Sequence, residues 1–263
     1  MIRIFSDSTC DLSKELIERY DITILPLHIL LGEEEFLDGV DITPDEIYKW
    51  SDEHKTTPKT SAVSIEDVMK AAEPYLDQGD EIISFSISDD MSTSGNVMHM
   101  AAAELEAEDR FHVINSANLS TGIGLLVIEA AIMAKEGKAS EEIITKIEEL
   151  KPLVRASFVV DTLTYLYRGG RCSGLAALAG GALKLHPQII VVDGAMKPAK
   201  KYRGNMLHVT LDYVKDMEKA MLNSHKDRVF ITHSGSDPKV VQEVYDYLEG
   251  LHYFDEICIT RAG

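Results

Sequence analysis

The sequence predicts an α/β protein of two domains. A mainly parallel α/β sheet is expected in residues 1–152, and a second, smaller α/β domain in 153–263. Three observations carry this. Short runs rich in Ile and Val alternate with longer amphipathic stretches, the order of strand–helix units. Helix start signals stand where the amphipathic stretches begin. Charge divides the chain: residues 1–150 hold 11 Lys and Arg against 32 Asp and Glu, whereas 151–263 hold 15 against 12.

Strands are expected at Ile2–Ser6, Ile22–Ile29, Glu81–Ile87, Phe111–Asn115, Ala156–Asp161, Gln188–Asp193, Arg228–His233 and Glu256–Thr260. Asp11 is expected to cap a first helix containing Leu16 and Ile17. Thr43-Pro44-Asp45-Glu46 reads as a capping box with proline at the first helical position. Ser64-Ile65-Glu66-Asp67 opens the next helix in the same manner. Residues 122–133 are apolar nearly all round, which reads as a buried helix. Pro152 ends a helix and marks the domain boundary. Asp237-Pro238 starts a last helix to Leu248, with Gly250 beyond its end.

The chain has 263 residues, 45% of them hydrophobic, enough for real cores and too apolar for intrinsic disorder. A net charge of -18 argues against general nucleic-acid binding, because phosphate affinity needs a basic footprint. Cys10, Cys172 and Cys258 are odd in number and far apart, and read as reduced thiols. The N-terminus reaches Asp7 too early for a signal peptide, and no stretch reads as a membrane span. A cytoplasmic protein is expected.

No G-x-S-x-G elbow, G-x-x-x-x-G-K loop, complete G-x-G-x-x-G or H-E-x-x-H is present, and no metal site is expected. Hydroxyl side chains gather instead at strand-to-helix junctions: Ser6-Asp7-Ser8-Thr9, Thr60-Ser61 and Ser92-Thr93-Ser94-Gly95. Such junctions collect at the carboxyl ends of parallel strands, where ligands bind, and suit a small anion. Plain helix capping is the competing reading. Asp7 and Asp11 lack the second acidic pair of a magnesium or phosphoryl site. Ser92 or Ser234 as a nucleophile with His233 as base lacks an orienting third group. Met91, Met98, Met100 and residues 175–181 could line an alkyl channel or simply fill a core.

Four elements in order resemble the DegV family of bacterial fatty-acid-binding proteins that serve fatty acid kinase. Ser6-Asp7-Ser8-Thr9-Cys10-Asp11-Leu12 opens the resemblance, which runs over essentially the whole chain. Lys59-Thr60-Ser61-Ala62-Val63-Ser64 is similar to the K-T-S-x-P-S element, with Val63 in place of proline. Residues 88–102 are similar to S-S-x-L-S-G-T, with Asp89, Asp90 and Thr93 as departures. Tyr165-Leu166-Tyr167-Arg168-Gly169-Gly170-Arg171 matches Y-L-x-x-G-G-R, and Thr232-His233-Ser234-Gly235 matches the H-S-G element. The family's H-x-G-P-G segment, whose histidine joins the carboxylate network, has no counterpart. Either the chain is a piece of a longer one or its site lacks that residue.

The resemblance implies two α/β domains with a long-chain fatty acid such as palmitate between them and no chemistry by the protein itself. Carried over, Thr60, Ser61, Ser92 and Arg171 would bind the ligand, with Thr60 and Ser92 on the carboxylate. No cofactor is implied. The basic stretch 168–203, seven cations against Asp193 alone, supplies Arg168, Lys200 and Arg203 as candidates for docking the kinase. Transient membrane contact stays open. Cys172 is expected to act as a small hydrophobe. The rivals are a Ser/Asp-dependent hydrolase or phosphotransferase in the same cleft, or a sensor of another amphipathic carboxylate.

Overall fold

The computed structural model describes residues 1–163, 165, 166, 169, 170 and 185–263. Arg168, Arg171 and Cys172 lie outside the described residues. Two compact units are formed: Met1–Arg155 with Asp193–Ala195 and Ala262–Gly263, and Ala156–Val192 with Met196–Arg261.

The first unit contains, in order, β1 (Ile2–Asp7), a 3-10 turn (Ser8–Cys10), α1 (Lys14–Tyr20), β2 (Ile22–Leu25), β3 (His28–Leu31), β4 (Glu34–Leu37), α2 (Pro44–His54) and β5 (Lys59–Ser61). There follow α3 (Ile65–Leu76), β6 (Glu81–Ser86), α4 (Ser94–Glu104), β7 (Phe111–Asn115), α5 (Thr121–Lys135) and α6 (Ser140–Leu150). Four strands make a parallel sheet in the order β2-β1-β6-β7. The expected α/β class with a parallel sheet is therefore present.

Alternation along these strands sends side chains to both faces, so each face needs a cover. Phe5, Leu25, Ile82 and Phe111 pack with Val68, Ala72, Met98 and Ala101 of α3 and α4. Met98 is thus core. The other side is covered by α5, which meets β1 and β6 and packs beside α6. Ten of its fifteen residues are buried, which explains an apolar surface running all round the helix. Each large side chain so buried contributes about 1.5–3 kcal/mol.

The expected strand Ile22–Ile29 is two strands. Pro26 has no N–H to give a ladder, and Leu27 N–H donates to Ser8 Oγ at 3.1 Å instead of continuing the sheet. Beyond it β3 joins a separate antiparallel sheet, ordered β4-β3-β5. This sheet and α2 enclose a small core of Ile29, Leu31, Ile42, Phe36, Ile47 and Trp50. The Thr43 capping box forms as expected.

The second unit contains β8 (Ser157–Val159), β9 (Leu185–Val192), β10 (Ala195–Arg203), α7 (Met206–Met221), β11 (Val229–His233), α8 (Pro238–Gly250) and β12 (Ile257–Arg261). The first three strands form one sheet with β9 central, and β11 and β12 pair in parallel. Its core joins Tyr202, Val209, Tyr213, Val214, Val244 and Leu248. The last helix runs through Gly250 rather than stopping at Leu248. Among the described residues no helix is long and apolar enough to cross a membrane.

Candidate functional site

In the parallel sheet β1 leads through α1 to β2 on one side, and β6 leads through α4 to β7 on the other. The chain therefore diverges between adjacent strands β1 and β6. The crevice outside their carboxyl ends is where ligands bind in open α/β sheets. Two of the three hydroxyl junctions lie at those ends.

At the end of β1 the hydroxyls are already engaged. Thr9 donates to Asp7 at 2.5 Å, and Ile87 N–H donates to the other oxygen at 2.8 Å. Ser8 donates to Asp38 at 2.6 Å. Asp11 adopts a left-handed backbone, φ 50°, and accepts from Ser120 at 2.5 Å and Gly263 N–H at 3.1 Å. Asp11 is therefore not the cap of α1; Ser13 is, accepting from Leu16 N–H. Burial pushes Asp7 up to about 6 and Asp11 up to about 7, and hydrogen bonds from Thr9 and Ser120 only partly counter it. This junction is built for internal satisfaction.

At the end of β6 the turn 88–92 leads into α4. Met91 and Ser92 N–H groups both donate to Ser88 carbonyl, at 2.9 and 3.1 Å. Half-buried Ser92 accepts from Ser94 N–H at 3.3 Å, and the two hydroxyls lie 2.9 Å apart. Gly95 leaves room beside them: a Cβ there would stand 2.7 Å from Asp89 Oδ1 and 2.9 Å from Ser86 Oγ, so both side chains would have to shift. Nearby, a Cβ on Gly194, φ +77°, would meet Ser88 Oγ at 2.7 Å.

The third junction is β5. Thr60 lies opposite Ile29 and Ser61 opposite His28, so the two hydroxyls point to opposite faces of the antiparallel sheet. Both residues are exposed. Among the described residues, Thr60, Ser61 and Ser92 are thus the expected site residues with no hydrogen bond to a carboxylate, while Arg171 lies outside them.

In the second unit Lys200 pairs with Asp216 of α7, which also accepts from Tyr202 hydroxyl at 2.7 Å. The ammonium lies 4.9 Å from the Tyr202 ring centroid. Arg203 is exposed at the end of β10. Ser92 is hydrogen-bonded to a second serine rather than a histidine. His233 ends β11 with Nδ1 buried, and burial and Arg261 hold its pKa below the ordinary value. Among the described residues no group of three His, Cys, Asp or Glu stands where it could hold a metal ion. Sequence reading missed the role of His28, whose two ring nitrogens meet carboxylates seven and thirty-nine residues away. No local motif signals such a pairing.

Comparison with known proteins agrees with this frame. A DegV domain-containing protein of Clostridium perfringens is 36% identical over 221 residues, 84% of this chain and 76% of the relative. A fatty-acid-binding DegV family protein from Thermus thermophilus has a similar structure, with a TM-score of 0.87 at 28% identity, covering 99% of this chain and 92% of that one. A stearic acid-binding protein from Eubacterium ventriosum superposes with a TM-score of 0.85 at 31% identity, covering 97% and 90%. The family described as "Uncharacterised protein, DegV family" matches residues 1–263, and the chain belongs to the DegV family.

Proposed function

We propose that the protein is a non-enzymatic, cytoplasmic carrier that buries a long-chain fatty acid such as palmitate and presents its carboxylate to a fatty acid kinase for acyl-phosphate formation. The observation that carries this reading is the division of hydroxyls. Among the described residues, those of Ser8, Thr9 and Ser120 serve internal aspartates, whereas those of Thr60, Ser61 and Ser92 do not. The likeness to structures described as fatty-acid-binding supports it. Thr60 and Ser92 would donate to the carboxylate and Arg171 would complete its charge balance. Ser61, on the opposite face of β5, would set the strand. Burying a 16-carbon chain contributes ~12 kcal/mol gross at about 0.8 kcal/mol per methylene, before the costs of association. A carboxylate taken from water must be hydrogen-bonded or it forfeits several of those kcal/mol. Arg168, Lys200 and Arg203 would dock the kinase.

Solvent extraction and mass spectrometry of the purified protein should find fatty acid near one per chain. Thr60→Ala combined with Ser92→Ala should fold and lose most of it, at about 1–3 kcal/mol per charge-assisted hydrogen bond removed. Unchanged lipid in a folded double variant would overturn the assignment.

A further inference from the structure

His28 sits on the central strand of the antiparallel sheet, directly opposite Ser61. Its Nδ1 lies 2.8 Å from Glu35 of β4, and its Nε2 lies 2.9 Å from Asp67 in the first turn of α3. A neutral imidazole has one N–H and one lone pair, so it can satisfy one of these carboxylates and must repel the other. Both contacts are attractive only in the imidazolium form. The ring is 17% exposed, against 34% for Asp67 and 60% for Glu35, so the Asp67 contact is the better shielded from water.

Asp67 is itself tied to the loop that follows Ser61. Its N–H donates to Ser64 Oγ at 3.1 Å, and its carboxylate accepts from the Ser64 hydroxyl. His28 is thus paired in register with Ser61 at one end of residues 61–64, and its ring reaches the other end through Asp67 and the Ser64 cap of α3. Glu35 from β4 and Asp67 from α3 are the charged groups facing it. Across the sheet from it, β5 presents the uncharged Ser61. Burial opposes the positive charge, but the hydrogen bonds to Asp67 and Glu35 outweigh it and hold the pKa above 6.5.

We propose that His28, as an imidazolium clamped between Asp67 and Glu35, is a positioning residue that fixes β5 at Ser61 and so holds the neighbouring Thr60 hydroxyl for the ligand head group, and that affinity falls as the clamp deprotonates. The proposal rests on the carboxylate site put forward above. Its contribution is full below about pH 6.5 and is lost as pH rises through the raised value.

The test reads the loop and the ligand separately. In lipid-free protein, amide exchange of residues 61–64, corrected for intrinsic rate, should lose about tenfold in protection between pH 6 and pH 9. Palmitate affinity should fall about fivefold over the same range. His28→Asn should show the weaker values at every pH with a flat profile. Asp67→Asn, which keeps an oxygen for the Ser64 cap, should flatten the profile too, and His28→Arg should retain protection without pH dependence. Palmitate bound with the same profile in wild type, His28→Asn and Asp67→Asn would overturn the clamp and leave the carrier reading intact. An exchange profile that follows His28 in a protein that binds no palmitate would overturn the carrier reading instead.

Discussion

Raising the pH from 5 to 8 should destabilise the first unit, through Asp7 and Asp11. Asp7 is buried and Asp11 half-buried, both are held above the ordinary carboxylate value of 3.8, and among the described residues neither has a cation at ion-pair distance. The folded state therefore keeps protons that the unfolded chain releases near pH 4. Stability falls as pH rises wherever the native state binds more protons, and the fall ends once the folded group has ionised. With folded values of about 6 and about 7, the loss across pH 5–8 is roughly 1 kcal/mol from Asp7 and roughly 3 kcal/mol from Asp11, at about 1.4 kcal/mol per tenfold. His28 acts in the same direction, so the decisive measurement is a difference. Urea unfolding of wild type and Asp11→Asn at several pH values should give a markedly shallower decline for the variant, even if its absolute stability is lower. Asn still accepts from Ser120 but no longer titrates. Parallel declines, or a wild type equally stable at pH 5 and 8, would refute the argument.

Two further outcomes follow from packing and charge. Gly124→Ala should lose about 1 kcal/mol in chemical denaturation: a Cβ would stand 2.7 Å from Leu12 Cδ2 and 3.1 Å from the Cys10 carbonyl oxygen, and overpacking of ~1–3 kcal/mol outweighs the ~1 kcal/mol gained in helix propensity. A stabilised variant would show that Leu12 yields freely. Arg203→Ala should weaken acyl-phosphate formation by the kinase at low salt more than Lys200→Ala does, with lipid content unchanged, because Lys200 is already held by Asp216. Equal losses in kinase assays would refute that ranking.

Elements whose cause is local were legible in the sequence. β1 and β7 announce themselves by apolar runs, and α2 by a capping box whose partners are three residues apart. β5 and β10 were not legible. Lys59-Thr60-Ser61 is too short for a pattern, and β10 is full of lysine with Pro198 inside it, residues disfavoured in strands except near an edge. Distance in sequence also hid the site's internal logic. Asp11 resembles a cap until its partners, 109 and 252 residues away, are known. The hydroxyl clusters could be found from sequence. Which hydroxyls were spent on aspartates could not, because that depends on pairs such as Ser8 with Asp38.

The segment carrying β3, β4, α2 and β5 has its own small core, and it leaves and re-enters the larger unit at Leu27 and Val63, both members of the core under α3 and α4. Those two residues anchor both ends of the segment in the larger core. Among the described residues, that core takes no apolar side chain from between them, yet Asp38 holds Ser8 at the end of β1 and His28 holds Asp67 of α3. A graft of the segment between Leu27 and Val63 therefore has to keep Asp38 in register with Ser8 and His28 in register with Asp67, or it breaks half-buried polar pairs outside the small core.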